Sequence, residues 1–154
     1  MNELNPNGAA LTELLLEVFR ANRVFLDAGD ELAAPAGISS ARWQVLGVVE
    51  HGASPVAHVA RTMGLTRQSV QQTADGLVQD GFVEFADNPH HRRAKLLRIT
   101  RRGVDALAIV AARQAEWANR VGGARPLAEL RAAAAALREV RMALEGSTGK
   151  EDEG

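Results

Sequence analysis

The chain has 154 residues, a formal net charge of −1, 46% hydrophobic and 24% charged side chains, and no cysteine. One domain's worth of chain with this mix holds a core without staples, burying roughly 68–70% of its unfolded surface, while the missing thiols exclude a disulfide framework, a thiolate metal site and control by thiol oxidation. No apolar run reaches the roughly 20 residues of a membrane span, and the opening MNELNPNG lacks the basic and apolar regions of a signal peptide, so the cytoplasm is the expected location.

Aromatic residues are 4% of the chain, tyrosine is absent and alanine is abundant, which favours helices packed through small residues over an aromatic-rich sheet. Leu11, Leu14, Leu15, Val18, Phe19 and Phe25 recur at helical spacing and predict one long amphipathic helix over about 9–31. Pro35 and Gly37 end the connection that follows. Ser39 is the expected N-cap of a second helix carrying Trp43, Val45, Leu46 and Val49 and closed by Gly52. Ser54-Pro55 reads as the cap and first turn of a short third helix reaching about Thr62.

Met63-Gly64-Leu65 is a tight turn, and Thr66 caps a fourth helix to about Gln79 with Val70, Ala74, Leu77 and Val78 inward. Two helices joined by such a glycine-containing turn form a helix-turn-helix signature. Asp80-Gly81 stops the fourth helix. Phe82–Phe85 and Leu96–Ile99 read as a hairpin with a long tip between them. A helix follows over about 101–121, broken by Gly122-Gly123. Leu127, Leu130, Ala134, Leu137, Val140 and Leu144 then form a narrow seam on a last helix, where the run Ala133 to Ala136 allows close approach. The expected architecture is mainly α: a winged helix-turn-helix at 38–100 with a two-stranded β wing, flanked by N- and C-terminal helices at 9–34 and 101–145. All of it belongs to a single domain over 1–154 that ends in a disordered tail at 146–154.

Charge is unevenly spread. Residues 1–50 hold 3 basic and 7 acidic side chains, residues 51–102 hold 8 and 4, and residues 103–154 hold 7 and 8. Arg92, Arg93, Lys95, Arg98, Arg101 and Arg102 fall within 88–102, a stretch without a single acid. A local basic patch on a near-neutral chain is the footprint of a surface that meets phosphates.

On the fourth helix the residues left outward are Arg67, Gln68, Ser69, Gln71, Gln72 and Asp75. Arginine matches guanine edges, glutamine matches adenine edges, and serine serves either a base or a phosphate. Their place in the first two turns matters because that half of a recognition helix enters the major groove. Such a face is also what any solvated helix shows, but four neutral glutamine or serine donors in place of Lys and Glu favour readout. Arg92, Arg93 and Lys95 on a projecting loop suit a minor groove or flanking phosphates. A basic loop is weak evidence alone, yet directly after a helix-turn-helix it completes a winged helix.

The continuous stretch SPVAHVARTMGLTRQSVQQTADGLVQDGFVEFADNPHHRRAKLLRIT, Ser54 to Thr100, resembles the multiple antibiotic resistance regulator (MarR) family of bacterial transcription factors. With the outer helices included, the resemblance covers about residues 9–145. It implies an obligate homodimer held by the terminal helices, one winged helix-turn-helix per subunit, and a palindromic double-stranded DNA operator. It places Thr66, Arg67, Gln68, Ser69, Gln71 and Gln72 on the recognition helix and Asn88, His91, Arg92, Arg93 and Lys95 on the wing, with Arg93 matching the arginine that looks into the minor groove. Where the family's wing often carries an aspartate before the paired arginines, this chain has His91, which removes an ion pair that would brace Arg93.

The resemblance also allows a small-molecule effector pocket between dimer and DNA-binding regions, lined by Trp43 and Trp117, with core packing as the alternative role for each. Arg20, Asn22 and Arg23 are candidates to orient a ligand carboxylate. The four histidines, His51, His58, His90 and His91, lie in no i, i+4 pair with a second ligand, so no metal or cofactor is expected. No glycine-rich phosphate loop, nucleophile elbow or H-E-x-x-H occurs, which excludes the common enzyme classes. The expected function is a homodimeric, sequence-specific transcriptional regulator, a repressor of a nearby operon released by a small, phenolic or aromatic-acid ligand. The alternatives are a helical protein–protein adaptor and a non-specific DNA-architectural protein.

Overall fold

The computed structural model describes residues 3–148. Six helices and one small sheet follow in chain order, and they form two compact units, one reaching Arg113 and the other beginning at Gln114. Helix α1 spans Pro6–Ala33 and starts earlier than its apolar pattern suggests. The Asn5 side chain accepts from the Gly8 N–H at 2.8 Å, and Pro6 sits at the first turn, where its missing donor costs nothing. Only Gly29, Leu32 and Ala33 of this helix are buried within the unit. A 3-10 turn at Ala34–Ala36 ends in Gly37, whose φ of 74° reverses the chain.

Helix α2 (Ser40–Val49) is capped as its sequence indicates, with the Ser39 side chain accepting from the Arg42 N–H. Ser54-Pro55 departs from expectation. These residues form a short strand, β1, and Pro55 rather than Ser54 holds the cap position of α3 (Val56–Met63). The expected two-stranded wing is accordingly part of a three-stranded antiparallel sheet. Strands β2 (Val83–Ala86) and β3 (Leu96–Ile99) form the hairpin, and β1 pairs with the far side of β3 through Ser54↔Leu97 and Pro55↔Leu96.

Between α3 and α4 (Arg67–Gln79), Gly64 takes a left-handed conformation at φ 65°, which a side chain would strain. Thr66 caps α4 by accepting from the Ser69 N–H at 3.1 Å. The core lies beneath these elements: Val45, Leu46 and Val49 of α2, Val59 of α3, Val70, Ala74 and Leu77 of α4, and Phe82, Val83 and Leu97 of the sheet are all buried.

Helix α5 (Arg101–Gly122) begins under tight constraint. The Thr100 hydroxyl lies 2.6 Å from the Gly81 carbonyl and 3.0 Å from that of Phe82, and its oxygen accepts from the Gly103 N–H. A Cβ on Gly103 would stand 2.3 Å from the Phe82 carbonyl oxygen, so only glycine lets the helix approach the sheet this closely. In the second unit, helix α6 (Leu127–Thr148) exposes Leu127, Leu130, Leu137 and Leu144, and none of its residues through Ser147 is buried. It runs through residues 146–148, which the sequence suggests as part of a disordered tail; residues 149–154 of that tail lie outside the described residues.

Candidate nucleic-acid interface

Burial of Val70, Ala74 and Leu77 fixes the phase of α4 and turns Thr66, Arg67, Gln68, Ser69, Gln71, Gln72 and Asp75 outward. The Thr66 oxygen is engaged as the cap. The Gln71 amide donates to Asp75 Oδ1 at 2.8 Å, one turn further on. A groove of about 570 Å³ separates α4 from the wing. Arg67, Gln68 and Gln71 line one side of it, Arg93 and Lys95 the other, and Pro55 and Val56 at the start of α3 close one end. Ser69 and Gln72 are exposed outside that groove.

The wing tip is organised by backbone geometry. Asn88 Oδ1 accepts from the His90 N–H at 3.0 Å, the Asn88 carbonyl accepts from His91, and the His91 carbonyl accepts from Ala94. Asn88 therefore shapes the loop as an Asx turn and is half-buried, whereas His91, Arg92, Arg93 and Lys95 are exposed.

The six cations of residues 88–102 divide into two groups. Arg98 pairs across the strands with Glu84 at 2.9 Å, Arg101 pairs with Asp105 at 2.9 Å, and the Arg102 guanidinium sits 4.6 Å from the centre of the Phe82 ring. Among the described residues Arg92, Arg93 and Lys95 make no ion pair, and neither does Arg67. The basic stretch thus spends half its charge on the fold and leaves the wing half available to an anion.

One contact invisible in the sequence holds α4 at this angle. Arg42 of α2 reaches Asp80 at the end of α4, Nη1 to Oδ2 at 2.6 Å, with the arginine side chain three-quarters buried. Its guanidinium lies over Gly76, where a Cβ would come within 2.8 Å. The 38-residue separation gives no local signal for this pairing.

A second cavity, of about 550 Å³, opens between α1 and α2. Asn22, Phe25, Leu26 and Gly29 line it from α1. Trp43, Gln44, Gly47 and Val48 line it from α2, with His51, Ser40, Thr62 and Met63 at its margins. Of the four residues suggested for a ligand pocket, Trp43 lies here. Arg20 and Arg23 point elsewhere, toward Glu17 and Asp27 at 3.7 Å, and Trp117 belongs to the second unit. At one end of the cavity the Ser40 N–H and hydroxyl both lie 2.7 Å from Asp30 Oδ1, and the hydroxyl lies 3.2 Å from the Leu26 carbonyl. The bond from the Ser40 hydroxyl, and then that from its N–H, holds the Asp30 carboxyl below its ordinary pKa, against the opposing effect of burial. No group of three His, Asp or Glu residues able to hold a metal ion, and no helix long and apolar enough to cross a membrane, occurs among the described residues.

Comparison with known proteins agrees with this geometry. Residues 36–94 match the model of the MarR family. The chain is 37% identical over 134 residues to the uncharacterized protein Rv2011c of Mycobacterium tuberculosis, covering 87% of this chain and 94% of that one. Among solved structures, CouR from Rhodococcus jostii RHA1 bound to p-coumaroyl-CoA is similar at 24% identity and a TM-score of 0.71, over 80% of this chain and 87% of that one. The M. tuberculosis transcriptional regulator MOSR in complex with DNA is similar at 21% identity and a TM-score of 0.71, over 84% of this chain and 96% of that one.

Proposed function

The chain belongs to the MarR family of DNA-binding transcriptional regulators, which are not enzymes, and from that membership we propose that it acts as a homodimeric repressor of a nearby operon, reading a palindromic operator and released by a small molecule. The observation that carries this reading is the groove between α4 and the wing. Neutral amides of Gln68 and Gln71 face it together with the unpaired cations Arg67, Arg93 and Lys95. Phosphate contacts by Arg92, Arg93 and Lys95 supply affinity, while Arg67, Gln68, Ser69, Gln71 and Gln72 supply selectivity. Thr66 and Asn88 serve by shaping the elements that present these groups, and His91 adds an imidazole at the tip.

Residues 38–100 form the DNA-binding region, and the helices at 9–34 and 101–145 hold two copies together. Helix α1 supports this assignment by exposing Leu15, Leu16, Phe19 and Phe25 along its length, with Phe19 74% accessible, and α6 exposes its leucine seam. Large apolar side chains left exposed along each of these helices on a single chain mark association faces. Two copies related by a two-fold axis present two recognition helices to half-sites about one helical turn apart, roughly 34–36 Å. A repressor acts where its operator is, in the cytoplasm.

The α1–α2 cavity is the effector site in this proposal, with Trp43 as its aromatic wall. CouR, solved with p-coumaroyl-CoA, supports an effector of aromatic character. A ligand there releases DNA only through its difference in affinity for the two spacings of the recognition helices.

The test is binding to the DNA upstream of the chain's own gene against random duplex of equal length, at several salt concentrations. A complex at least about 10³-fold tighter than random, with log affinity falling linearly in log salt, is the expected result. Equal, salt-sensitive binding to both duplexes identifies an architectural protein. No binding at low salt identifies a protein–protein adaptor.

A further inference from the structure

We propose that the α1–α2 cavity selects an uncharged, ring-bearing molecule and discriminates against organic acids; this rests on the reading of that cavity as the effector site. A carboxylate entering here would be drawn to the start of α2, where free N–H groups and the positive end of the helix dipole attract anions. In this chain that place is taken from within. Asp30 Oδ1 accepts from both the Ser40 N–H and the Ser40 hydroxyl at 2.7 Å, so an incoming acid that reaches Ser40 finds both protons already given to a carboxylate just behind it.

No permanently charged cation compensates, and His51 is the titratable side chain at the margin. Neither Lys nor Arg lines the cavity among the described residues. Arg20 and Arg23 face Glu17 and Asp27, and Arg113 is spent on the carbonyls of Leu32 and Glu31. A carboxylate desolvated without a partner binds poorly. The cavity offers instead the faces of Phe25, Trp43 and Met63, with the carboxamides of Asn22 and Gln44, which donate and accept and therefore match hydroxyl, carbonyl or amide groups. Room for a ring is left at Gly47, where a Cβ would meet nothing within 4 Å.

The experiment uses the full-length protein carrying Trp117→Phe, so that Trp43 fluorescence reports alone. 2-Naphthamide, 2-naphthoate and 2-naphthylmethylammonium are titrated at pH 8, where an ordinary histidine is neutral. The amide is expected to quench Trp43 with a Kd at least tenfold lower than either charged analogue. Gly47→Leu, whose Cβ meets nothing within 4 Å, is expected to abolish the quenching while leaving the thermal melt intact. Asp30→Asn is expected to narrow the gap between acid and amide.

Naphthoate binding as tightly as the amide, in a manner that Gly47→Leu abolishes, overturns the charge selection and leaves the effector site standing. Tighter binding of the ammonium compound overturns it equally. An acid–amide gap unchanged by Asp30→Asn overturns the role given to that carboxylate. Quenching by none of the three, or quenching insensitive to Gly47→Leu, overturns the effector-site reading itself.

Discussion

Replacing Arg93 with alanine should change the salt sensitivity of DNA binding more than its sequence preference. Among the described residues the wing leaves three cations per subunit unpaired, Arg92, Arg93 and Lys95, while Arg98, Arg101 and Arg102 are engaged by Glu84, Asp105 and the Phe82 ring. In a dimer that gives about six phosphate contacts, and at about −0.9 per contact the slope of log K against log salt is about −5. Losing Arg93 from both subunits flattens the slope by about 1.8, so that a fourfold rise in salt costs the variant about tenfold less affinity than it costs the parent. Fluorescence anisotropy on operator and random duplexes from 50 to 200 mM salt measures this directly. The same series on Arg98→Ala should reproduce the parent slope, because that guanidinium is already paired. An unchanged slope for Arg93→Ala, or equal flattening in Arg98→Ala, would refute the division of the basic stretch into free and structural halves.

Gln68→Ala should cost about 1–3 kcal/mol of discrimination between operator and random DNA with little effect on the salt slope, as read from paired titrations. Gly76→Ala should be near neutral in the parent, where the new methyl displaces Arg42 from Asp80. In an Arg42→Ala background it should stabilise by about 0.5–1 kcal/mol, the gain of alanine over glycine inside a helix, and urea melts of the double-mutant cycle report the coupling. Gly103→Ala should lower Tm despite the same helix preference, because its nearest neighbour, the Phe82 carbonyl, is backbone and cannot swing away. The Asp30 carboxyl has a lower pKa folded than unfolded, so its contribution is present above the ordinary carboxylate value and is lost as pH falls through the folded one. Asp30→Asn should therefore destabilise at neutral pH, by a margin that shrinks below about pH 4 in acid-dependent melts.

The helix-turn-helix was legible because its signals are local. Ser39 and Thr66 each cap the helix that follows through a bond three residues long, and Gly64 sits where the turn demands a left-handed residue. What escaped depends on distance or on phase. Ser54-Pro55 looks like a cap in isolation, but Leu96 and Leu97, some forty residues on, offer a strand to pair with and decide the matter. Arg20 and Arg23 sit among the right residues of α1 but at the wrong angle: Asn22, Phe25, Leu26 and Gly29 share one face, and Arg20 lies about 160° round the helix from Asn22. The apolar stripe of α1 could not supply the phase, since most of it is exposed on the single chain. The Asn5-Pro6 start of α1 lies ahead of the apolar stripe that begins at Leu11, so periodicity alone places the helix start about three residues late.

The short strand β1 has a consequence for how copies of this protein avoid one another. The sheet order β1-β3-β2 makes β1 one of two outer edges, and an open edge is a template onto which a stray strand from another molecule can add, the first step toward fibres. Here the edge is two residues long and one of them is Pro55, which carries no N–H to offer. The β1 side of the sheet thereby offers a stray strand almost nothing to pair with.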